Sequence, residues 1–460
     1  MKLTYGINDK PALSKTIVYA LQQLLAIMTA TLVVPIIING NADILNGNEM
    51  SSAAALFGAG VGTLVYLLFT RFKSPVFLGS SFAFIGSMTA AFAGATTAAV
   101  GYVGLILGAI FAGLVYVVIS VIVKMVGAGW VNKLMPAVVI GPTVAIIGLS
   151  LAGNAVGDLQ KAPAGGSALI AVLCGLVTLF VTIICSSFGS KNVKLIPFII
   201  GILAGYIVSA VFTIIGTISG ADSLLVSDFS PFTNLVKGGV SVSTFFSVPT
   251  FTFVKALGGF GQLSASYIGT IAVAYIPVAF VVFAEHIADH KNISSIIEKD
   301  LLEEPGLNRT LLGDGVGSMA GALFGGCPNT TSGESIACVA ITGNASVVTI
   351  FCTSVLAIVI SFLSPFVAFV NSIPSCVMGG VCVALYGFIA VSGLKMIQKV
   401  DLEDNKNLFV VSTILICGIG GLVLHFGEVT ITAVACALIL GILVNTVLTA
   451  LGKKYGKQDK

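Results

Sequence analysis

Long, nearly unbroken runs of apolar residues are the feature of this chain that most restricts its fold. Only 9% of the 460 residues are charged and 57% belong to the hydrophobic set, with a mean hydropathy of +1.07. This composition lies far from that of a soluble globular protein. A helical span needs about 20 apolar residues, and such runs recur about fourteen times. The sequence therefore predicts an all-α polytopic membrane protein with about fourteen transmembrane segments.

The lysines and arginines orient the chain in the membrane. If the N-terminus is cytoplasmic, Lys161, Lys237 and Lys255 fall outside, and all the others among the 22 basic residues fall inside. This distribution follows the positive-inside rule. We therefore expect a multi-pass protein of a bacterial cytoplasmic membrane with both termini in the cytoplasm. The net charge of +3 reflects this topology and gives no reason to expect a nucleic-acid partner.

A polar, glycine-containing stretch at residues 217–255 divides the chain into two halves of seven spans each. Two similar halves with an odd number of spans run in opposite directions through the membrane, an arrangement common in secondary transporters. The sequence therefore predicts a seven-plus-seven inverted repeat.

The third span of each half is interrupted in the same way. Residues 74–84 and 328–338 both open near a proline, carry Ser or Thr and Gly at mid-span, and leave only a short apolar run afterwards. Irregular backbone survives in a bilayer only where it is buried in protein or lines a cavity. We expect a short extended segment followed by a half-helix in spans 3 and 10, with the half-helix N–H groups aimed at a ligand.

Carboxylates at membrane depth mark the candidate site. Glu334 follows the break in span 10, and Glu285 and Asp289 share one face near the end of span 8. A charged side chain inside a membrane usually serves a ligand, a pathway or a proton. His286 and His290 form a second pair four residues apart, and we expect His290, beside a lysine-containing loop, to be solvated.

Two carboxylates facing one small cavity suit a flat heterocycle with adjacent N–H donors and C=O acceptors. A carboxylate accepts two hydrogen bonds side by side, and half-helix N–H groups donate to carbonyls. Crowded acids in such a cavity are also suited to proton coupling. The nine cysteines form no CxxC motif or Cys/His cluster, so we expect no metal site and no cofactor other than the coupling proton.

Several motifs together resemble the nucleobase–cation symporter 2 family, also called nucleobase–ascorbate transporters, and in particular its bacterial uracil permease branch. The resemblance rests on LQQLLA (21–26), ATLVVP (30–35), LGSSFAF (78–84), AEHIAD (284–289), LLGDG (311–315), GE (333–334) and AITG (340–343).

This resemblance implies a core domain, a gate domain and a homodimer. The core comprises spans 1–4 (residues 1–135) and 8–11 (256–372), and the gate comprises spans 5–7 (136–255) and 12–14 (373–460). It also implies proton symport, with a base held between spans 3, 8 and 10.

The resemblance also implies roles for individual residues. Glu334 and Glu285 would be the main base ligands, Phe82 would stack on the ring, and Gly333 and Ala30 would line the site. Asp289, together with Glu285, would take part in proton coupling.

Some positions depart from the family pattern. Ser335 and Ala337 stand where Asn and Gly are usual, and Asp289 replaces a frequent His. Ser332 stands where uracil permeases often have an aromatic residue. We include Ser332 among the residues expected to bind the base.

The sequence thus predicts a transporter and not an enzyme. The expected substrate is uracil, imported with protons by alternating access. The alternatives are a purine carrier for xanthine or guanine, or an anion or bicarbonate carrier of the same architecture.

Overall fold

The computed structural model describes residues 3–45, 47–127, 130, 136–426 and 429–455. Lys2, Lys133, Lys457 and Lys460, which contribute to the topology prediction, lie outside these ranges. The orientation of the termini stays a prediction.

The first half of the chain is a series of helices with one short strand. Its elements are α1 (Leu13–Asn41), α2 (Ser52–Phe69), β1 (Leu78–Ser80), α3 (Ile85–Ala93), α4 (Ala98–Val126), α5 (Ala137–Ser150), α6 (Ala152–Gln160), α7 (Ala168–Phe188) and α8 (Pro197–Ser219). A turn of 3₁₀-helix at Phe82–Phe84 joins β1 to α3.

Three short helices lead into the second half. These are α9 (Ser230–Val236), α10 (Val242–Phe245) and α11 (Thr252–Ala256). The elements that follow are α12 (Ala265–Ile297), α13 (Leu307–Gly325), β2 (Asn329–Thr331), α14 (Gly333–Thr342), α15 (Val347–Ile360), α16 (Ser364–Ser372), α17 (Ser375–Ile397), α18 (Asn405–Ile419), β3 (Leu424–Phe426), β4 (Val429–Ile431) and α19 (Ala433–Tyr455).

The helices agree with the polytopic membrane fold. Within the described residues, nine helical segments are long and apolar enough to cross a membrane, and four shorter apolar helices occur at Phe82–Ala93, Gly333–Thr342, Val347–Ile360 and Asn405–Ile419. The glycine-rich helix α13, with 19 residues, lies where the sequence predicts the ninth of the fourteen spans and is not one of these nine segments. The predicted interruptions are confirmed, because spans 3 and 10 each consist of a short strand followed by a short helix.

The helices pack in two groups. In the first group, α13 packs against α2 and α4, α12 against α4, and α15 against α1 and α2. In the second group, α17 packs against α5, α6 and α7, α7 against α8, and α18 against α5 and α19.

Glycines allow α2 and α13 of the first group to approach closely. A Cβ atom added to Gly62 would lie 2.7 Å from the Gly317 carbonyl oxygen, and one added to Gly321 would lie 2.9 Å from the Gly58 carbonyl oxygen. Small residues at four-residue spacing are a common means of bringing membrane helices together. This contact fixes α13 beside the start of β2.

Candidate functional site

The two interrupted spans meet each other inside the protein. Strands β1 and β2 pair antiparallel, with Leu78 opposite Thr331 and Ser80 opposite Asn329. The ladder continues at its ends, because Ser81 N donates to Pro328 O (3.0 Å) and Ser332 N donates to Phe77 O (3.1 Å). This pairing satisfies the extended backbone without water, as a site at membrane depth requires.

Buried side chains hold the start of α14 in place. The Gln23 amide of α1 donates to the Ser335 carbonyl oxygen (3.1 Å) and to the Ser335 hydroxyl, and Phe77 N donates to the same hydroxyl at 3.0 Å. Ser332 caps the helix, because its Oγ accepts from Ser335 N. Ser335, which departs from the family pattern, therefore joins α1, the segment before β1, and α14.

A cavity of about 170 Å³ lies beside the paired strands. It is small compared with the roughly 300–1,000 Å³ pockets that hold drug-sized ligands. It brings together six of the residues predicted from the sequence: Ala30, Phe82, Glu285, Ser332, Gly333 and Glu334. The residues Gly79, Ser80, Ser81, Thr330 and Thr331 complete the polar part of its wall.

The opposite wall of the cavity is apolar and belongs to the second group of helices. It consists of Val144 and Ile147 from α5 and Leu385, Phe388 and Ile389 from α17. The cavity therefore lies at the boundary between the two groups.

Glu334 lies in the first turn of α14, directly at the cavity. The Ser332 hydroxyl donates to Glu334 Oε2 at 2.9 Å, which leaves the other carboxylate oxygen available to a ligand. No atom lies within 4 Å of the place where a Cβ on Gly333 would be. The start of α14 thus has open space beside Gly333 and a carboxylate next to it. A helix N-terminus together with a carboxylate can receive both acceptor and donor atoms of a ligand.

Glu285 and Asp289 occupy successive turns of α12 but have different surroundings. Glu285 lines the cavity and keeps exposed surface there. Asp289 does not line the cavity. Its Oδ2 accepts a hydrogen bond of 2.7 Å from Thr331 Oγ1, and Thr331 itself lies in the cavity wall. Asp289 therefore connects to the site through one hydroxyl group.

A second buried polar network, which the sequence did not predict, lies behind the strands. His286 Nδ1 lies 2.6 Å from Asp314 Oδ2, and its Nε2 lies 3.1 Å from Thr310 Oγ1. Asp314 Oδ2 also accepts from Thr330 Oγ1 at 3.3 Å. Asp314 was part of a family motif but had no predicted role. Its position beside several glycines in an otherwise apolar span was the available signal.

The expectation that His290 is solvated is wrong. His290 has no exposed surface, and its ring stacks on that of His286 with the centroids 4.1 Å apart. Its Nδ1 lies 2.8 Å from the His286 carbonyl oxygen and its Nε2 lies 2.8 Å from the Tyr66 hydroxyl. Helix α12 continues to Ile297, so His290 lies within the helix and packs against α2.

No group of three or more His, Cys, Asp or Glu side chains in the described part of the chain is arranged to hold a metal ion. The nine cysteines are free. The chemistry of the cavity is therefore carried by carboxylates, hydroxyls and backbone groups.

Comparisons with known proteins identify similar chains. Residues 14–427 match the model of the Xan_ur_permease family, described as a permease family. The uracil permease of Bacillus caldolyticus is 37% identical, over 97% of this chain and 95% of that protein. The uracil permease of Bacillus subtilis (strain 168) is 36% identical over the same shares of the two chains.

A solved structure shows the same fold at low identity. The transmembrane domain of the cyanobacterial bicarbonate transporter BicA superposes with a TM-score of 0.61 and is 14% identical, covering 96% of this chain and 99% of that one.

Proposed function

This chain belongs to the Xan_ur_permease family of permeases, and from that membership together with its cavity we propose that it imports uracil coupled to protons. Its similarity to uracil permeases extends over nearly the whole chain. The observation that carries the proposal is the small cavity in which Glu285, Glu334 and the start of α14 face Phe82.

The cavity has the groups that would recognise a pyrimidine base. Uracil presents two N–H donors and two carbonyl acceptors around one flat ring. In the proposed complex, Glu334 and Glu285 accept from the N–H groups, and N–H groups at the start of α14 donate to a carbonyl. Phe82 would cover one ring face, with Ala30 and Gly333 leaving room for the ring.

The first experiment tests the two base ligands. Glu334→Gln and Glu285→Gln should each weaken uracil binding, because an amide replaces half of a carboxylate's acceptors with a donor. The loss of hydrogen bonds to a charged group, about 1.5–3 kcal/mol, corresponds to roughly 10- to 100-fold in affinity. Thermal stabilisation of the purified protein by uracil measures binding, and uptake of radiolabelled uracil into proteoliposomes measures transport.

The matched control is Glu303→Gln, an exposed acid in the π-helical turn Leu302–Gly306 before α13. This variant should bind and transport like the wild type. Normal transport by both cavity variants would refute the site assignment. Competition by unlabelled xanthine and guanine separates uracil import from the purine alternative.

The bicarbonate alternative has little support in the site itself. The likeness to BicA shows the fold only, and two acids line the cavity where an anion would have to bind. Bicarbonate should therefore neither stabilise the protein nor compete with uracil.

We further propose that Glu285 and Asp289 carry the coupling proton. The two acids lie one turn apart on α12, and Thr331 joins Asp289 to the cavity wall. Asp289→Asn should keep thermal stabilisation by uracil, since Asp289 does not line the cavity, but should lose uracil accumulation driven by an imposed pH gradient. If this variant accumulates uracil as well as the wild type does, Asp289 does not take part in proton coupling.

The position of the cavity supports transport by alternating access, which is part of the same proposal. One wall belongs to the first helix group and the other to the second. In the proposed cycle the first group, corresponding to the core, moves as a body against the second, the gate. Placement in a bacterial cytoplasmic membrane with both termini inside, and assembly as a homodimer, are part of the same proposal.

A further inference from the structure

A second cavity, of about 530 Å³, opens where α1 begins and α14 ends. We call it the vestibule. Seven of the nine residues in its wall have polar side chains: Ser14, Lys15, Tyr19, Gln22, Lys191, Asn192 and Thr342, beside Val18 and Ile341. The Gln22 Oε1 atom is buried and has no hydrogen-bond partner among the described residues.

Two helices lead from the vestibule to the central cavity. On α1, Gln22 lines the vestibule and Ala30 lines the central cavity, with Ala26 midway between them. On α14, Glu334 lines the central cavity and Thr342 the vestibule, with Cys338 midway. Residues four apart lie on one face of a helix. On each helix, one face therefore runs from the vestibule to the central cavity.

A small apolar cluster lies between the two cavities. Ala26 and Cys338 are its buried members, and Ile196 and Ile341 pack on them. We call these four residues the plug. At 1.5 Å per residue, Ala26 lies about 6 Å along the helix axis from both Gln22 and Ala30. The two cavities are thus about 12 Å apart along α1, roughly two helical turns.

The other end of the central cavity, beyond Ala30 on α1, is apolar. Val34 and Ile38 continue the Ala30 face, and both are fully buried in the largest apolar cluster of the protein. In the direction of the plug, by contrast, the same helix face reaches the polar groups of the vestibule.

The plug also lies across the boundary between the two helix groups. Ala26, Cys338 and Ile341 belong to α1 and α14, whereas Ile196 directly precedes α8 of the second group. A movement of one group against the other would separate Ile196 from its three partners.

We propose that the vestibule is one mouth of the transport path and that the plug is its gate. This inference rests on the proposed transport function. The permeant passes from Glu334 along α14 to the vestibule when Ile196 moves away from Cys338. The amide and hydroxyl groups of the vestibule, with the ring of Tyr19, suit a small polar heterocycle on its way to water.

A reversible cross-link tests the gate. Ile196→Cys places a second thiol at the Ala26–Cys338 cluster on which Ile196 packs, and mild oxidation should join it to the native Cys338. We expect the oxidised protein to lose uracil uptake, to recover it on reduction, and to keep thermal stabilisation by uracil throughout. The control Ile196→Cys/Cys338→Ala cannot form this bond and should keep uptake under the same oxidant.

Two outcomes would contradict the proposal that the plug is a gate. Uptake that continues through the cross-linked protein shows that the plug is not on the path, and failure of the two thiols to join contradicts the contact that defines it.

A second measurement does not depend on the substrate. Gly333→Cys, in a background without other reactive thiols, places a reporter thiol in the central cavity. Adding Ile341→Ala should raise the rate at which a membrane-impermeant maleimide, applied at the vestibule side, labels this thiol. Leu21→Ala, a partly exposed position outside the plug, should leave the rate unchanged.

The two measurements separate the gate from the proposed function. If the reduced protein takes up no uracil, the proposed substrate is wrong. The rate of maleimide labelling at Gly333→Cys then remains as the test of the gate. A labelling rate that Ile341→Ala does not change overturns the gate.

Discussion

At the scale of single residues, the sequence indicated which acids matter but not what surrounds them. Glu285 and Glu334 stood out because carboxylates are costly in a membrane, and the structure places both at one cavity. The partners of Asp289 and His290 could not be predicted, since Thr331 and Tyr66 are distant in the sequence. The sequence also predicted the end of α12 near His290, whereas the helix continues to Ile297. For this reason His290 was wrongly predicted to be solvated.

The buried tyrosines provide a prediction about stability. Tyr66 and Tyr275 both have no exposed surface. The Tyr66 hydroxyl bonds His290 and Ser74, whereas the Tyr275 hydroxyl has no hydrogen-bond partner in the described part of the chain. Tyr66→Phe should therefore lower the free energy of unfolding by about 1–3 kcal/mol, because it leaves buried polar atoms unpaired.

Tyr275→Phe serves as the control and should change stability little. Thermal unfolding in detergent compares the two variants. Equal losses would contradict the role given to the Tyr66 hydrogen bonds.

At the scale of elements, the sequence indicated the two interrupted spans but not their mutual pairing. Pro, Ser, Thr and Gly at mid-span predicted extended segments before short helices, and β1, β2, α3 and α14 confirm this. That β1 pairs with β2 depends on contacts between residues about 250 positions apart, for which local patterns carry no information. The close contact of α2 and α13 could not be predicted either, since the sequence shows only that both helices are rich in glycine.

A glycine substitution tests the importance of that contact. A Cβ on Gly321 would lie 2.0 Å from Asn329 Nδ2 and 2.9 Å from the Gly58 carbonyl oxygen. Gly321→Ala must therefore turn away the buried Asn329 amide, which donates to that carbonyl (3.2 Å), and push α2 and α13 apart. We expect a stability loss of about 1–3 kcal/mol, typical of overpacking, together with weaker uracil binding.

Gly86→Ala in α3 is the matched control. No atom lies within 4 Å of its added Cβ, and an alanine stabilises a helix interior by roughly 0.5–1 kcal/mol relative to glycine. Thermal unfolding should therefore show opposite signs for the two variants, and stabilisation by uracil should fall only in Gly321→Ala. Unchanged stability and binding in Gly321→Ala would contradict the packing argument.

At the scale of the whole molecule, composition alone was sufficient for the polytopic all-α fold, since about 20 apolar residues per span leave few alternatives in a membrane. The location of the cavity at the boundary of two helix groups could not be predicted from the sequence, because the residues that α5 and α17 contribute to its wall are all apolar and resemble ordinary membrane-span residues. The inverted repeat, the membrane orientation and the homodimer stay predictions.

The central claim is that the cavity between Phe82, Glu285 and Glu334 holds the transported base. An experimental structure of the protein with 5-bromouracil tests it directly, because the anomalous signal of bromine locates the ligand independently of the protein density. We expect one saturable bromine site inside this cavity, with the ring's N–H groups within hydrogen-bond distance of the two carboxylates. A bromine site elsewhere, with this cavity empty at saturating ligand, would contradict it.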